Sequence, residues 1–101
     1  MKRTLTILAM SALVAAPAFA DEAMAKAKNC MACHSVDKKL VGPAYKEVSK
    51  KYAGKAGSAE TLAEHILKGS KGIWGPVPMP PNANVSPAEA KALATWILSL
   101  N

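Results

Sequence analysis

The residues best placed to do chemistry in this 101-residue chain stand together, as Cys30-Met31-Ala32-Cys33-His34. Two thiols three positions apart share one side of a helical turn, and an imidazole follows at once. Several chemistries draw on such a set. A thioredoxin-like redox pair needs its C-x-x-C at a strand-to-helix junction, and no alternating, β-rich run is present. A zinc site could add His65 to Cys30, Cys33 and His34, but adjacent Cys33 and His34 lack the paired-ligand spacing of a tetrahedral site. A plain disulfide leaves His34 without a task, and so small a loop would constrain the unfolded chain little. C-x-x-C-H is the attachment pattern of c-type haem. Cys30 and Cys33 can each add to a vinyl group on one porphyrin edge, with His34 as proximal iron ligand.

The donor on the opposite iron face then decides between a carrier and an open site. His65, Met24, Met31 and Met79 are the candidates. Met31 lies inside the attachment turn and Met24 less than two turns before it, both on the wrong side. Met79 stands 45 residues after His34, within Gly75-Pro76-Val77-Pro78-Met79-Pro80-Pro81-Asn82. Prolines fix φ and reduce the entropy lost when a loop is ordered, a rigidity that ordinary methionine packing does not need. Met79 is therefore assigned the distal position. His/Met ligation closes the iron, and the soft thioether favours the ferrous state. The expected activity is outer-sphere electron transfer, not catalysis. No Ser/His/Asp set, paired catalytic carboxylates or phosphate-binding glycine loop competes with it. The alternative is an open-site haem protein, a gas sensor or weak peroxidase, with Met79 dissociated or never bound.

The rest of the chain must position these groups. Met1-Lys2-Arg3-Thr4, a mostly apolar run from Leu5 to Ala16, and Pro17-Ala18-Phe19-Ala20 have the layout of a secretory signal peptide over residues 1–20. The apolar run is short of the roughly 20 residues that span a bilayer, so no stable membrane insertion is expected. Haem c is attached outside the bacterial cytoplasm, which agrees with the leader and points to the periplasm. Residues 21–101 are left as one domain. Without Lys2 and Arg3, 11 lysines face 7 acidic residues, a net charge of +4 with no arginine. That balance does not suit a nucleic-acid binder, which offers arginine forks or a strong basic run. A chain this small also needs a staple or a cofactor to complete its core.

Helical signals dominate that domain. Residues 22–29 favour a short helix ending near Asn29, and Tyr45 to Tyr52 a second one stopped by Gly54. Ser58 is the expected N-cap of a third helix, with Leu62, Ile66 and Leu67 inside it and Gly69 as its C-cap. Six prolines and glycines between Gly72 and Pro81 make that stretch an ordered loop. Ser86-Pro87-Ala88-Glu89 combines an N-cap, a first-turn proline and a capping box ahead of a Leu93, Trp96, Ile97, Leu100 stripe. The predicted core is Val48, Leu62, Ile66, Leu93, Trp96 and Ile97, in an all-α chain of four or five short helices.

Beyond C-x-x-C-H, the segments Val41-Gly42-Pro43-Ala44-Tyr45-Lys46 and Gly72-Ile73-Trp74-Gly75-Pro76-Val77-Pro78-Met79-Pro80-Pro81-Asn82 and the C-terminal Trp96 follow in order. Over essentially all of residues 21–101 the chain resembles the small bacterial class I cytochromes c of the cytochrome c-551 type. The resemblance implies a compact class I cytochrome c fold around one covalent haem c, with terminal helices that cross. It implies a monomeric periplasmic monohaem carrier that moves single electrons between respiratory complexes and a terminal reductase or oxidase. A cytochrome bc1-type donor and the haem c/haem d1 nitrite reductase are the partners it suggests. It also implies supporting roles. The Pro43 carbonyl would accept from the His34 ring, Trp74 would donate to a propionate, and His65 would sit near one. Asn82 would hydrogen-bond near the Met79 thioether, and the loop Asn82-Ala83-Asn84-Val85-Ser86 is one residue longer than the common form. Lys28, Lys38 and Lys39 are expected to ring an apolar patch of Ala32, Val41, Pro43, Pro78 and Pro80 that steers an acidic partner.

Overall fold

The computed structural model describes residues 19–100, so most of the expected leader, residues 1–18, lies outside the described residues. Helix α1 spans Glu22–Ala27, α2 Tyr45–Tyr52, α3 Ser58–Lys68 and α4 Pro87–Leu98, with a 3-10 turn at Cys30–Ala32. Among the described residues there is no strand, only an isolated antiparallel bridge between Ser70 and Met79. No described helix is long and apolar enough to cross a membrane.

Local chemistry sets each boundary. Asp21 caps α1 by accepting from the Met24 N–H at 3.0 Å. Asn29 then adopts a left-handed φ of 64°, which its short polar side chain tolerates, and turns the chain into the Cys30–Ala32 segment. Helix α2 starts at Ala44, which has no capping side chain. Its first N–H groups are satisfied by the chain itself, as Tyr45 donates to the Ser35 carbonyl and Lys46 to that of Val36. These bonds dock α2 against the segment that follows the two cysteines.

The start of α3 corrects one expectation. Gly57 precedes the helix at φ 77°, and Ser58 is already its first helical residue. The buried Ser58 Oγ lies 2.9 and 2.8 Å from the carbonyls of Tyr52 and Lys55, which share its single proton. It therefore closes the end of α2 instead of capping α3, because the glycine turn has aimed it back along the chain. Helix α4 follows its signals: Glu89 N–H donates to Ser86 Oγ at 3.1 Å, and Ser86 N–H to Glu89 Oε1 at 3.0 Å.

Helices α2 and α3 pack on α4. The predicted core residues Val48, Leu62, Ile66, Leu93 and Ile97 are buried, while Trp96 is only half-buried. Three alanines without solvent exposure, Ala25, Ala90 and Ala94, join α1 and α4 in the same core. Helix α1 is also fastened to the α4 N-terminus by Lys28, paired with Glu89 at 3.1 Å. Buried Ser49 donates to the Leu98 carbonyl at 3.0 Å, tying α2 to the last turn of α4.

Candidate haem site

The helices leave their common core open. A cavity of about 640 Å³ reaches in from one side and meets Leu62, Ile66, Leu93 and Ile97. That size suits a ligand pocket, for which roughly 300–1,000 Å³ is usual. Cys30, Cys33, His34, His65, Trp74 and Met79 all line it, with Pro43 and Tyr45. Both cysteines are free thiols.

One wall is the attachment turn. In a 3-10 turn residues i and i+3 eclipse, which brings Cys30 and Cys33 to one side. The N–H groups of Cys33 and His34 both donate to the Cys30 carbonyl, at 3.2 and 3.0 Å. Partial burial pushes the Cys30 thiol up, so it is held as the neutral thiol. His34 is 9% exposed, and its Nδ1 lies 2.8 Å from the Pro43 carbonyl. A carbonyl only accepts, so Nδ1 carries the proton and Nε2 keeps its lone pair. The ring stacks on Tyr45 at 4.9 Å between centroids, and Tyr45 meets Trp96 edge-on at 5.5 Å. Burial, together with the neighbouring Cys30, raises the Tyr45 phenol far above its ordinary range, so it remains neutral.

Gly42 makes this wall possible. A Cβ there would stand 2.6 Å from His34 Cε1 and 2.9 Å from Nδ1. Its N–H also donates to the Cys33 carbonyl at 2.7 Å, closing the loop onto the attachment turn. Tyr45, Gly42 and Ser49 were not singled out as site or core residues from sequence. Gly42 sits in a legible Gly-Pro turn, but nothing in the sequence says that an imidazole lies over it.

The other wall is the proline-rich loop. Ser70 and Met79 exchange N–H···O bonds of 3.0 and 2.9 Å, which fix the backbone of the methionine. Gly69, at φ 80° and ψ 177°, ends α3, and a Cβ on it would meet the Met79 carbonyl oxygen at 2.5 Å. The Asn82 side-chain amide donates to the Ile66 carbonyl at 2.8 Å, and its N–H to the same oxygen at 3.1 Å. The last turn of α3 leaves that carbonyl without a helical partner, and Asn82 satisfies it. Among the described residues Asn82 makes no hydrogen bond to the Met79 sulfur.

At the cavity mouth Leu40, Val41 and Val77 are 50–59% exposed, beside Pro76 and Pro78. Lys39 is exposed there and Lys38 is its exposed neighbour in the chain, but Lys28 is not a free member of the expected rim. Its ammonium is held by Glu89 and by the Asn84 carbonyl at 3.0 Å, because the long loop brings that oxygen to the end of α1. Among the described residues no three His, Cys, Asp or Glu side chains converge as a metal cluster, so the Cys30, Cys33, His34, His65 zinc arrangement is not assembled.

Short helices around a largely apolar cavity, with two thiols and a proton-directed imidazole on one wall, define a small haem-binding protein of the cytochrome type. The Cytochrome c family model matches residues 22–101, and the chain belongs to that family. It is 54% identical over 97 residues to cytochrome c-551 of Pseudomonas aeruginosa, covering 94% of this chain and 92% of that protein. Among solved structures it resembles wild-type cytochrome c552 of Nitrosomonas europaea, at 57% identity and a TM-score of 0.78, over 80% of this chain and 100% of that one. The class 1 cytochrome MtoD of Sideroxydans lithotrophicus is more distant, at 37% identity and a TM-score of 0.65, over 78% of this chain and 90% of that one. The fold is that of a class I cytochrome c, the cofactor is one covalent haem c, and the protein is a monohaem electron carrier. The cavity fits that group: its walls supply thiols, an imidazole and a thioether, and the chain fills too little of its own core without it.

Proposed function

We propose that residues 21–101, freed of the leader 1–20, form a monomeric periplasmic one-electron shuttle. Cys30 and Cys33 would hold the haem by thioether bonds, and His34 Nε2 and the Met79 sulfur would supply its iron with a nitrogen and a soft sulfur donor. The observation that carries this reading is that all four side chains line one cavity while Pro43 occupies the other His34 nitrogen. The haem, when bound, supplies a one-electron ferric/ferrous couple.

The protein contributes orientation and exclusion. The Pro43 carbonyl fixes the imidazole plane, and the Tyr45 face stops it from rotating away. Leu62, Ile66, Leu93 and Ile97 keep water from the buried edge, which favours the less charged reduced state. Trp74 and His65 line the same cavity and are the side chains we assign to a propionate. With His34 and Met79 both serving the iron, small molecules would find no site there, and electrons would leave through an exposed edge of the group.

That edge lies at the apolar mouth of Leu40, Val41 and Val77, beside Lys38 and Lys39. A patch of this kind suits brief docking with an acidic redox protein, and longer-range lysine charge would steer the encounter. A terminal reductase of the haem c/haem d1 nitrite-reducing type, or a terminal oxidase, is the proposed acceptor, and a cytochrome bc1-type complex the donor. The test is a visible spectrum of the holoprotein, oxidised, then reduced, then exposed to carbon monoxide. Low-spin bands, a weak ferric far-red band and no response to carbon monoxide are expected. In Met79→Ala the far-red band should vanish and carbon monoxide should bind. A wild-type protein that already binds carbon monoxide would overturn the closed-site reading.

A further inference from the structure

Residues 71–78 cover part of the cavity yet form no backbone–backbone hydrogen bond among the described residues. The stretch is pinned at its base by the Ser70–Met79 pair, and Gly72 and Gly75 turn it at φ 71° and 112°. Both glycines have open space around the position of a Cβ, so neither is held by packing. At its far end one side chain reaches it. Lys51, in the last turn of α2, donates from Nζ to the Ile73 carbonyl at 3.3 Å. The same ammonium stands 4.6 Å from the centroid of the Trp74 ring. Among the described residues no other hydrogen bond reaches residues 71–78.

We propose that Lys51 is the clasp that holds this flap, a positioning residue that acts through Trp74 and Ile73 to limit access to the Met79 side of the cavity. Two weak contacts made by one cation reinforce each other: the carbonyl fixes where the ammonium sits, and the indole face is then presented to it. Trp74 is half-buried and lines the cavity, so its orientation sets how far the flap stands from the core. Removing the ammonium leaves residues 71–78, which run from Ser70 to Met79, without a hydrogen bond of their own, so that only the packing of Trp74 against the core opposes an outward swing about the two glycine turns. The inference rests on Met79 as the distal ligand for its binding arm alone.

The experiment compares ferric holoprotein with Lys51→Met, Lys51→Arg and Lys55→Met. Lys55 is a fitting control, because its ammonium lies 5.6 Å from the Tyr52 ring and touches no part of the flap. Imidazole is titrated as a probe that must displace Met79, and ¹⁵N relaxation is recorded for residues 72–77 and the Trp74 indole. Lys51→Met should bind imidazole about fivefold more tightly, the scale of losing one exposed cation–π contact and one hydrogen bond. Its order parameters over 72–77 should fall towards flexible values while those of α3 and α4 stay unchanged. Lys51→Arg and Lys55→Met should behave as the wild type. Lys51→Met equal to wild type in both readouts, or Lys55→Met reproducing its effect, would overturn the clasp. A wild-type ferric spectrum with no Met79-dependent far-red band would instead sink the ligand assignment, and the relaxation data would still decide the clasp.

Discussion

The two walls of the cavity are held in different ways. On the cysteine side, His34 is fixed by three contacts: Pro43 at Nδ1, Tyr45 on its face, and Gly42, whose lack of a side chain admits the ring. Backbone bonds from Gly42 to Cys33 and from Tyr45 to Ser35 lock the surrounding chain. On the methionine side the chain is stiff for a covalent reason, since Pro76, Pro78, Pro80 and Pro81 remove rotational freedom before folding. Its non-covalent ties are few, namely the Ser70–Met79 pair, Asn82 on Ile66, and Lys51 on the flap. An over-determined imidazole beside a pre-stiffened but lightly tied thioether makes Met79 the proposed ligand that is expected to yield first.

The largest effect should come from withholding the group both walls enclose. Apoprotein with Cys30 and Cys33 blocked should show no cooperative unfolding transition, because the cavity then leaves the faces of α3 and α4 without partners. A sharp helical melt by circular dichroism would break the comparison at its root. Next come the two glycines, one on each wall. Gly69→Ala must force a side chain into a φ, ψ region that is essentially glycine-only and into the Met79 carbonyl, at a cost of about 3 kcal/mol. Gly42→Ala keeps an ordinary backbone but drives the His34 ring from the Pro43 carbonyl, at a cost of about 2 kcal/mol. Urea midpoints measure both. The far-red band should weaken in Gly69→Ala at urea concentrations that leave Gly42→Ala with its methionine bound.

This asymmetry also governs what could be read from sequence. The helices and the Ser86 capping box were legible, and Cys30, Cys33 and His34 could be grouped as one candidate site, because each is written in adjacent residues. Met79 stood out through its prolines. What stayed hidden depends on residues far apart in the chain: Gly42 beneath His34, Ser49 on Leu98, and Lys51 on Trp74. The alanines Ala25, Ala90 and Ala94 were passed over because small residues leave no mark on a pattern of large apolar ones, though close packing depends on them. Ser58 misled for the reverse reason. A serine before a helical run looks like an N-cap, and only the φ of Gly57 shows that the helix has already begun.

A third contact spans both walls and sharpens the comparison further. Lys28, at the end of α1 and two residues before Cys30, grips Glu89 and the Asn84 carbonyl, while Asn84 Nδ2 donates back to the Lys28 carbonyl at 3.3 Å. The attachment turn is thereby strapped to the loop that follows Met79. Lys28→Met keeps most of the stem and loses the charge, and should cost about 1 kcal/mol, the scale for a partly exposed pair with one further hydrogen bond. Its urea midpoint should fall while the His34–Pro43 contact, followed by the imidazole proton resonances, is unchanged. A loss confined to the His34 side would mean that the strap serves the cysteine wall alone.

The smallest expected effect is the pH dependence of the same strap. The Ser86 N–H, with Lys28 beside it, holds the Glu89 carboxyl below the usual carboxylate range. A carboxylate depressed by folding stabilises the native state above its unfolded pKa of about 4.3, and that contribution is lost as pH falls through the lower folded value. Glu89→Gln retains the cap geometry without the charge, so its stability should change less than that of the wild type between pH 5 and pH 3. Because Glu89 is well solvated, the difference should be a small shift in urea midpoint that fades with added salt. Parallel pH profiles would mean that the ammonium of Lys28 is held by the Asn84 carbonyl instead. The α1 end would then be fastened to the distal loop by the ammonium–carbonyl bond and by Asn84 Nδ2 on the Lys28 carbonyl, and the two walls would be coupled without the Glu89 carboxylate.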